Sequence, residues 1–178
     1  MSTTTSTDLE ARAAWSVITE PGDTVAGGFV AAIGHTDALS ALENPVACIT
    51  AIMDAGAASD QEQAAGAVQR WLPRMSAGTI DFALREASRH GIQMLDPAAV
   101  PGIADLGVLA PHLLWVRGDL DAAAGPLSHK IALVGARAST NYGDQVTREL
   151  ATDLVGRGIT IVSGAAYGID GTAHRAAL

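Results

Sequence analysis

Between residues 130 and 178, two short apolar runs each break off at a small-residue turn and are each followed by a helical pattern, which leaves the chain few choices of fold. Ile131, Ala132, Leu133 and Val134 show no alternation, as expected of a parallel strand covered on both faces, and the run stops at Gly135. Val146, Leu150, Leu154 and Val155 then recur at helical spacing, behind the candidate caps Ser139, Thr140 and Asn141 and ahead of Gly158, a left-handed stop. Ile159, Thr160, Ile161 and Val162 make a second, β-branched run. The turn Ser163-Gly164-Ala165-Ala166-Tyr167-Gly168 leads from it to Asp170, a candidate N-cap for a helix that carries His174. A β-α-β-α order is the opening of a doubly wound parallel sheet, so the expected fold class is α/β.

Both turns leave the carboxyl end of a strand and feed a helix N-terminus, where free N–H groups and the helix dipole attract anions, phosphate above all. Gly-Ala-Arg-Ala-Ser-Thr at residues 135–140 is not the G-x-G-x-x-G fingerprint, and no Gly-Lys-Ser/Thr follows, so neither a dinucleotide nor a P-loop nucleotide is favoured. Arg137 stands two residues past the strand end, where a guanidinium can clamp phosphate oxygens bidentately. Ser139 and Ser163 sit in no G-x-S-x-G elbow, and no paired carboxylates or metal cluster stand beside them. The expectation is a binding protein without catalytic residues, metal or cofactor.

Val134-Gly135-Ala136-Arg137, Thr140-Asn141-Tyr142-Gly143, the run from Ser163 through Asp170, and Ala173-His174 together resemble the front half of the DNA-processing protein A (DprA/Smf) family. Pro101-Gly102-Ile103-Ala104-Asp105-Leu106 and the segment from Pro111 to Leu120 resemble that family's lead-in and extend the likeness back to about Met94. The resemblance implies a Rossmann-like fold in a bacterial, cytoplasmic protein that binds single-stranded DNA, protects incoming DNA in natural transformation (competence) and recombination, and loads the RecA recombinase. It also implies a homodimer in the complete protein. Carried over by position, it places phosphate contacts at Gly135, Arg137, Ser163 and Gly164, with Ser139, Thr140, Ala165, Tyr167 and Gly168 lining the pocket and Asp170 and His174 in support. Many members have Ser or Thr where this chain has Ala136, which puts more of the site on Arg137. The family's sheet needs further strands, so residues 130–178 are expected to be a truncated Rossmann-like sheet and the chain a fragment. The alternative is a nucleotide-processing enzyme of the lysine-decarboxylase-like Rossmann group, acting on nucleoside monophosphates.

Upstream, residues 1–93 read as a small all-helical domain of sterile-alpha-motif-like or helix-hairpin-helix-like type, and residues 94–129 as a connector that docks on the sheet. Leu9 to Ile18 suit one helix. Asp23 or Thr24 caps a second that Gly34 ends, Thr36 caps a turn through Leu39, and Asn44-Pro45 opens a segment to Met53. Ser59 or Asp60 caps a helix through Trp71, and Thr79 begins another with Ile80, Phe82, Ala83 and Ala87 on its core side. Leu113 to Val116 suit a strand. Of the 19 acidic residues, nine precede Arg70, where Arg12 is the only basic residue, so a DNA-binding face belongs after that point. Trp15, Trp71 and Trp115 lie in apolar periodic stretches and are expected in the core rather than as base stackers. The lone Cys48 suits a buried, inert thiol. His35, His90, His112 and His129 read as surface or turn residues, whereas His174 orients the second loop, bonds a phosphate or packs its helix. The first residues have no basic or apolar leader pattern, and no run suits a membrane span.

Overall fold

A computed structural model describes residues 6–178 of the protein, and the chain divides into two compact units, Met1–Ala123 and Ala124–Leu178. In the first unit the chain runs through α1 (Ser6–Ile18), α2 (Thr24–Ile33), α3 (His35–Ala41), α4 (Pro45–Asp54), α5 (Gln61–Trp71) and α6 (Ala77–Arg89). Local chemistry sets most of these ends. Asp23 accepts from the N–H groups of Val25 and Ala26, Asn44 from Ala47, Asp60 from Gln63, and Ser76 from Thr79, each satisfying a donor that the first helical turn leaves open. Gly34, at φ 88°, both ends α2 and precedes α3, so Thr36 lies inside a helix rather than at its cap.

The core of this unit is built around Trp15, Ile18, Phe29, Leu42, Cys48, Ile52, Val68 and Trp71, all essentially without solvent contact. Trp15 and Trp71 meet edge to face with ring centroids 5.3 Å apart, and each indole N–H has a partner: the His35 carbonyl for Trp15 and the Asp23 carboxylate for Trp71. Burial pushes the Cys48 thiol up to about 11, which leaves it protonated and unreactive at neutral pH. Phe82 departs from its expected core position. It is 59% exposed, and the buried side of α6 runs through Ala87 with Ile80 packed against the core.

Of residues 94–129, read from the sequence as a connector, 94–123 fall within this first unit and 124–129 within the second. β1 (Ile92–Leu95) follows α6 and pairs antiparallel with β2 (Leu114–Arg117), Met94 opposite Trp115. The segment between them packs back on α2, where Gly27 is required because a Cβ there would run into the Val108 carbonyl. Trp115 donates to the Ser16 hydroxyl, and a short helix α7 (Leu120–Ala124) ends this stretch.

In the second unit the order is β3 (Lys130–Ala132), α8 (Asn141–Gly156), β4 (Thr160–Val162) and α9 (Ile169–Ala177). β3 and β4 are parallel, with Ile131 opposite Ile161, so the α/β class and the β-α-β-α order both stand. Thr140 caps α8 and Gly158, at φ 77°, follows its end. The strands differ from expectation in burial. Ile131 is 40% exposed, Val162 48% and Val134, just past β3, 69%, while α8 and α9 meet each other closely. The residues buried on α8 and α9 are Thr147, Ala151, Asp170, Thr172 and Ala173, mostly small, which permits that close approach. Among the described residues, no helix is long and apolar enough to cross a membrane.

Candidate nucleic-acid interface

The chain leaves β3 and β4 on the same side of the parallel pair, which brings residues 133–140 and 163–168 together as two abutting loops. Three contacts lock them. The Ile169 N–H donates to the Ala136 carbonyl at 3.2 Å, the Gly135 N–H donates to the Asp170 carboxylate at 3.2 Å, and the Ser163 hydroxyl donates to the Leu133 carbonyl at 2.6 Å. Gly168 makes the approach possible. Its φ of 82° suits glycine alone, and a Cβ there would collide with the backbone of Ala136 and Arg137.

Several expected site residues take part in holding the loops together. Asp170 is not the N-cap of α9; that position is Gly168, and Asp170 lies in the first helical turn, 7% exposed, clasping the opposite loop. Its charge already meets the α9 dipole, so an incoming anion finds less attraction there. Gly135 has committed its N–H to Asp170, and its bare Cα lies against Ile169, where a Cβ would come within 2.8 Å of Cγ1. Ser163 has spent its hydroxyl proton on Leu133. Gly164 passes Asp170 with room for little more than hydrogen, since a Cβ would lie 3.1 Å from Oδ2. His174 Nε2 lies 3.2 Å from the Ser163 carbonyl, which can only accept, so the imidazole carries its proton on Nε2 and steadies the loop. Ala165 sits at φ 55°, a left-handed conformation costly for any residue with a Cβ and found here in the loop itself.

What remains open to a ligand is a shorter set. Arg137 is exposed and has neither ion pair nor hydrogen bond among the described residues. Thr140 accepts from the Gly143 N–H, which leaves its own proton to donate, and Ser139 is half-buried beside it. The N–H groups of Gly164, Ala165, Ala166 and Tyr167 find no acceptor among the described residues, nor do those of Arg137 and Ala138. Tyr167 is 89% exposed. The unit carries Lys130, Arg137, Arg148, Arg157 and Arg175 against Asp144, Glu149, Asp153 and Asp170, a slight positive balance in a chain of net charge −8. Arg157 is engaged with Asp153 at 2.9 Å, and Asp144 and Asp170 are held in hydrogen bonds, so the loop cation is not neutralised locally. Among the described residues, no group of three or more His, Cys, Asp or Glu side chains suits a metal ion.

The clasp gives a direct expectation. Asp170→Ala removes the partner of the Gly135 N–H and is expected to cost about 1–3 kcal/mol, whereas Asp170→Asn keeps an accepting oxygen and should cost clearly less. Amide exchange across residues 130–178 reads the difference. Equal loss in both variants would mean that the charge, not the acceptor, holds the loops.

Residues 98–178 match the family model for DNA recombination-mediator protein A. A Mycobacterium tuberculosis protein named for DNA processing, DprA, is 49% identical over 71 residues, 39% of this chain and 18% of that protein. Protein Smf of Escherichia coli is 47% identical over 68 residues, 38% of this chain and 17% of its own length. The DNA processing protein DprA of Bacillus subtilis is 40% identical over 68 residues, 38% of this chain and 22% of its own length. The likeness to the DNA-processing protein A family therefore holds over part of the chain, and the matched stretch spans less than a quarter of these relatives.

Proposed function

We propose that the two loops of the second unit bind the phosphates of single-stranded DNA, with Arg137 as the principal contact. The observation that carries this is the state of Arg137: an exposed guanidinium with no partner among the described residues, on a loop whose N–H groups likewise find no acceptor among them, inside the stretch that resembles DNA-processing proteins. Both helix N-termini of this unit already have an acid in the first turn, Asp144 and Asp170, so a fixed cation has to supply most of the attraction. The proposed role is binding rather than catalysis: the Ser163 hydroxyl donates to the Leu133 carbonyl, and the nearby His174 imidazole is engaged with the Ser163 backbone carbonyl rather than with that hydroxyl. On this reading the whole protein is cytoplasmic, works as a homodimer, shields single-stranded DNA during transformation and recombination, and passes it to the RecA recombinase. Those larger parts rest on the family likeness.

Arg137→Ala tests the reading. It is expected to weaken binding of an oligonucleotide sharply and to lower the slope of log affinity against log salt by about one. Folding stability should move by no more than about 0.5 kcal/mol, because the side chain is exposed and unpaired. Titration of labelled single strands, duplex and a mononucleotide, with urea unfolding of the same variant, reads all of this. Unaltered affinity in the variant, or equal affinity for duplex, would overturn the proposal.

A further inference from the structure

The second unit contains two aromatic residues, Tyr142 and Tyr167, and neither is used for packing. They are 78% and 89% exposed, and neither phenol hydrogen-bonds within the described residues. In the first unit, by contrast, Trp15, Trp71 and Phe29 are buried to within 1%. Tyrosine, with an apolar ring and a polar tip, is enriched at interfaces, so two bare rings in one small unit suit an external partner.

Their placement says which. Tyr142 lies in the first turn of α8, next to Gly143, whose Cα approaches the Ile169 side chain so that a Cβ would lie 3.4 Å from Cδ1. Tyr167 stands two residues before the same Ile169 and next to Gly168, which abuts the backbone of Arg137. Both residues thus adjoin a glycine at the junction of the two loops, the same junction that carries the exposed Arg137. Exposed planar rings on the same small unit as an exposed cation fit a chain that alternates flat bases with phosphates.

We propose that Tyr142 and Tyr167 are stacking platforms for the bases of single-stranded DNA whose phosphate Arg137 holds; this rests on the reading of the loops given above. Stacking asks nothing of base identity, because every base has a π-face. The phenol hydroxyl is incidental to it, so phenylalanine serves equally well. The tyrosines are therefore what distinguishes a strand with bases from a bare sugar-phosphate chain.

The test compares an oligo-dT with an abasic oligonucleotide of equal length on the full chain by fluorescence anisotropy. The wild type is expected to prefer oligo-dT, by on the order of ten-fold for each ring engaged. Tyr142→Ala combined with Tyr167→Ala should bring oligo-dT down to the abasic level and leave abasic binding unchanged, while the double phenylalanine variant keeps the preference. Circular dichroism should be the same for all, since the side chains are exposed. Equal wild-type affinity for the two oligonucleotides, or a preference that survives the double alanine change, overturns the stacking assignment. In that case Arg137-dependent abasic binding would leave the phosphate reading standing, whereas binding of neither oligonucleotide would remove both.

Discussion

Gly168→Ala is expected to cost the second unit about 2–4 kcal/mol and to abolish DNA binding by the loops. Two penalties act together. A Cβ in the left-handed region is strained, and the same Cβ would overlap the Ala136 and Arg137 backbone, which no rotamer change can relieve. The loops must separate. That breaks the bond from the Ile169 N–H to the Ala136 carbonyl and shifts Arg137, so stability and binding fall in one variant. Gly164→Ala is the comparison, since its Cβ would meet only Asp170 Oδ2 at 3.1 Å and should cost less. The three tryptophans, Trp15, Trp71 and Trp115, all lie in the first unit, so their fluorescence should change little in either variant, while amide protection across residues 130–178 falls in Gly168→Ala. Undiminished protection there would show that the loops are not held by their mutual approach.

The features legible in the sequence were those fixed by neighbours along the chain. Asp23, Asn44 and Asp60 cap helices by bonding to N–H groups two or three residues away, and apolar spacing marked the helices they begin. The β-α-β-α order of the second unit was readable for the same reason. What escaped depends on distant partners. Ile92 to Leu95 becomes a strand through pairing with Leu114 to Arg117, and nothing within Ile-Gln-Met-Leu itself announces that partner. Asp170 looked like a cap because it stands near a helix start, yet its carboxylate is drawn to a donor in the other loop. Ser163 and Gly135 looked like ligand groups, and the fold spends their donors internally. Arg137 was singled out by its place after the strand, and that it has no partner among the described residues could be known only from the folded chain. Phe82 had the right period and the wrong phase: hydrophobic spacing identifies a helix better than it identifies which edge of the apolar face is covered.

The first unit is expected to lose stability as pH falls from about 6.5 towards 4, and the cause is a pair of histidines expected at the surface. His35 and His112 face each other with ring centroids 5.4 Å apart, beside a cavity of about 440 Å³ that Asp8, Arg12 and Asp96 also line. Burial depresses both imidazoles to about 4, with Arg12 pushing each further down; His112 lowers His35 as well. Asp8 and Asp96 oppose the shift at His35, and Asp23 at His112, without cancelling it. In the unfolded chain each histidine returns to about 6.5 and binds protons more readily than in the fold. Above that pH both states are neutral and the stability is fully present; below it the unfolded state gains protons first, and the advantage of the fold shrinks until the native imidazoles titrate near 4. His112 also lies against Trp15 at 5.7 Å, so charging it disturbs the centre of the core as well as its edge. Urea unfolding followed by tryptophan fluorescence at a series of pH values reads the effect. The midpoint should fall steadily across this window in the wild type and much less in His35→Asn combined with His112→Asn, where no proton can be taken up. A wild-type midpoint that stays flat from pH 6.5 to 4.5 would mean that the two rings are open enough to solvent to be charged in the folded protein.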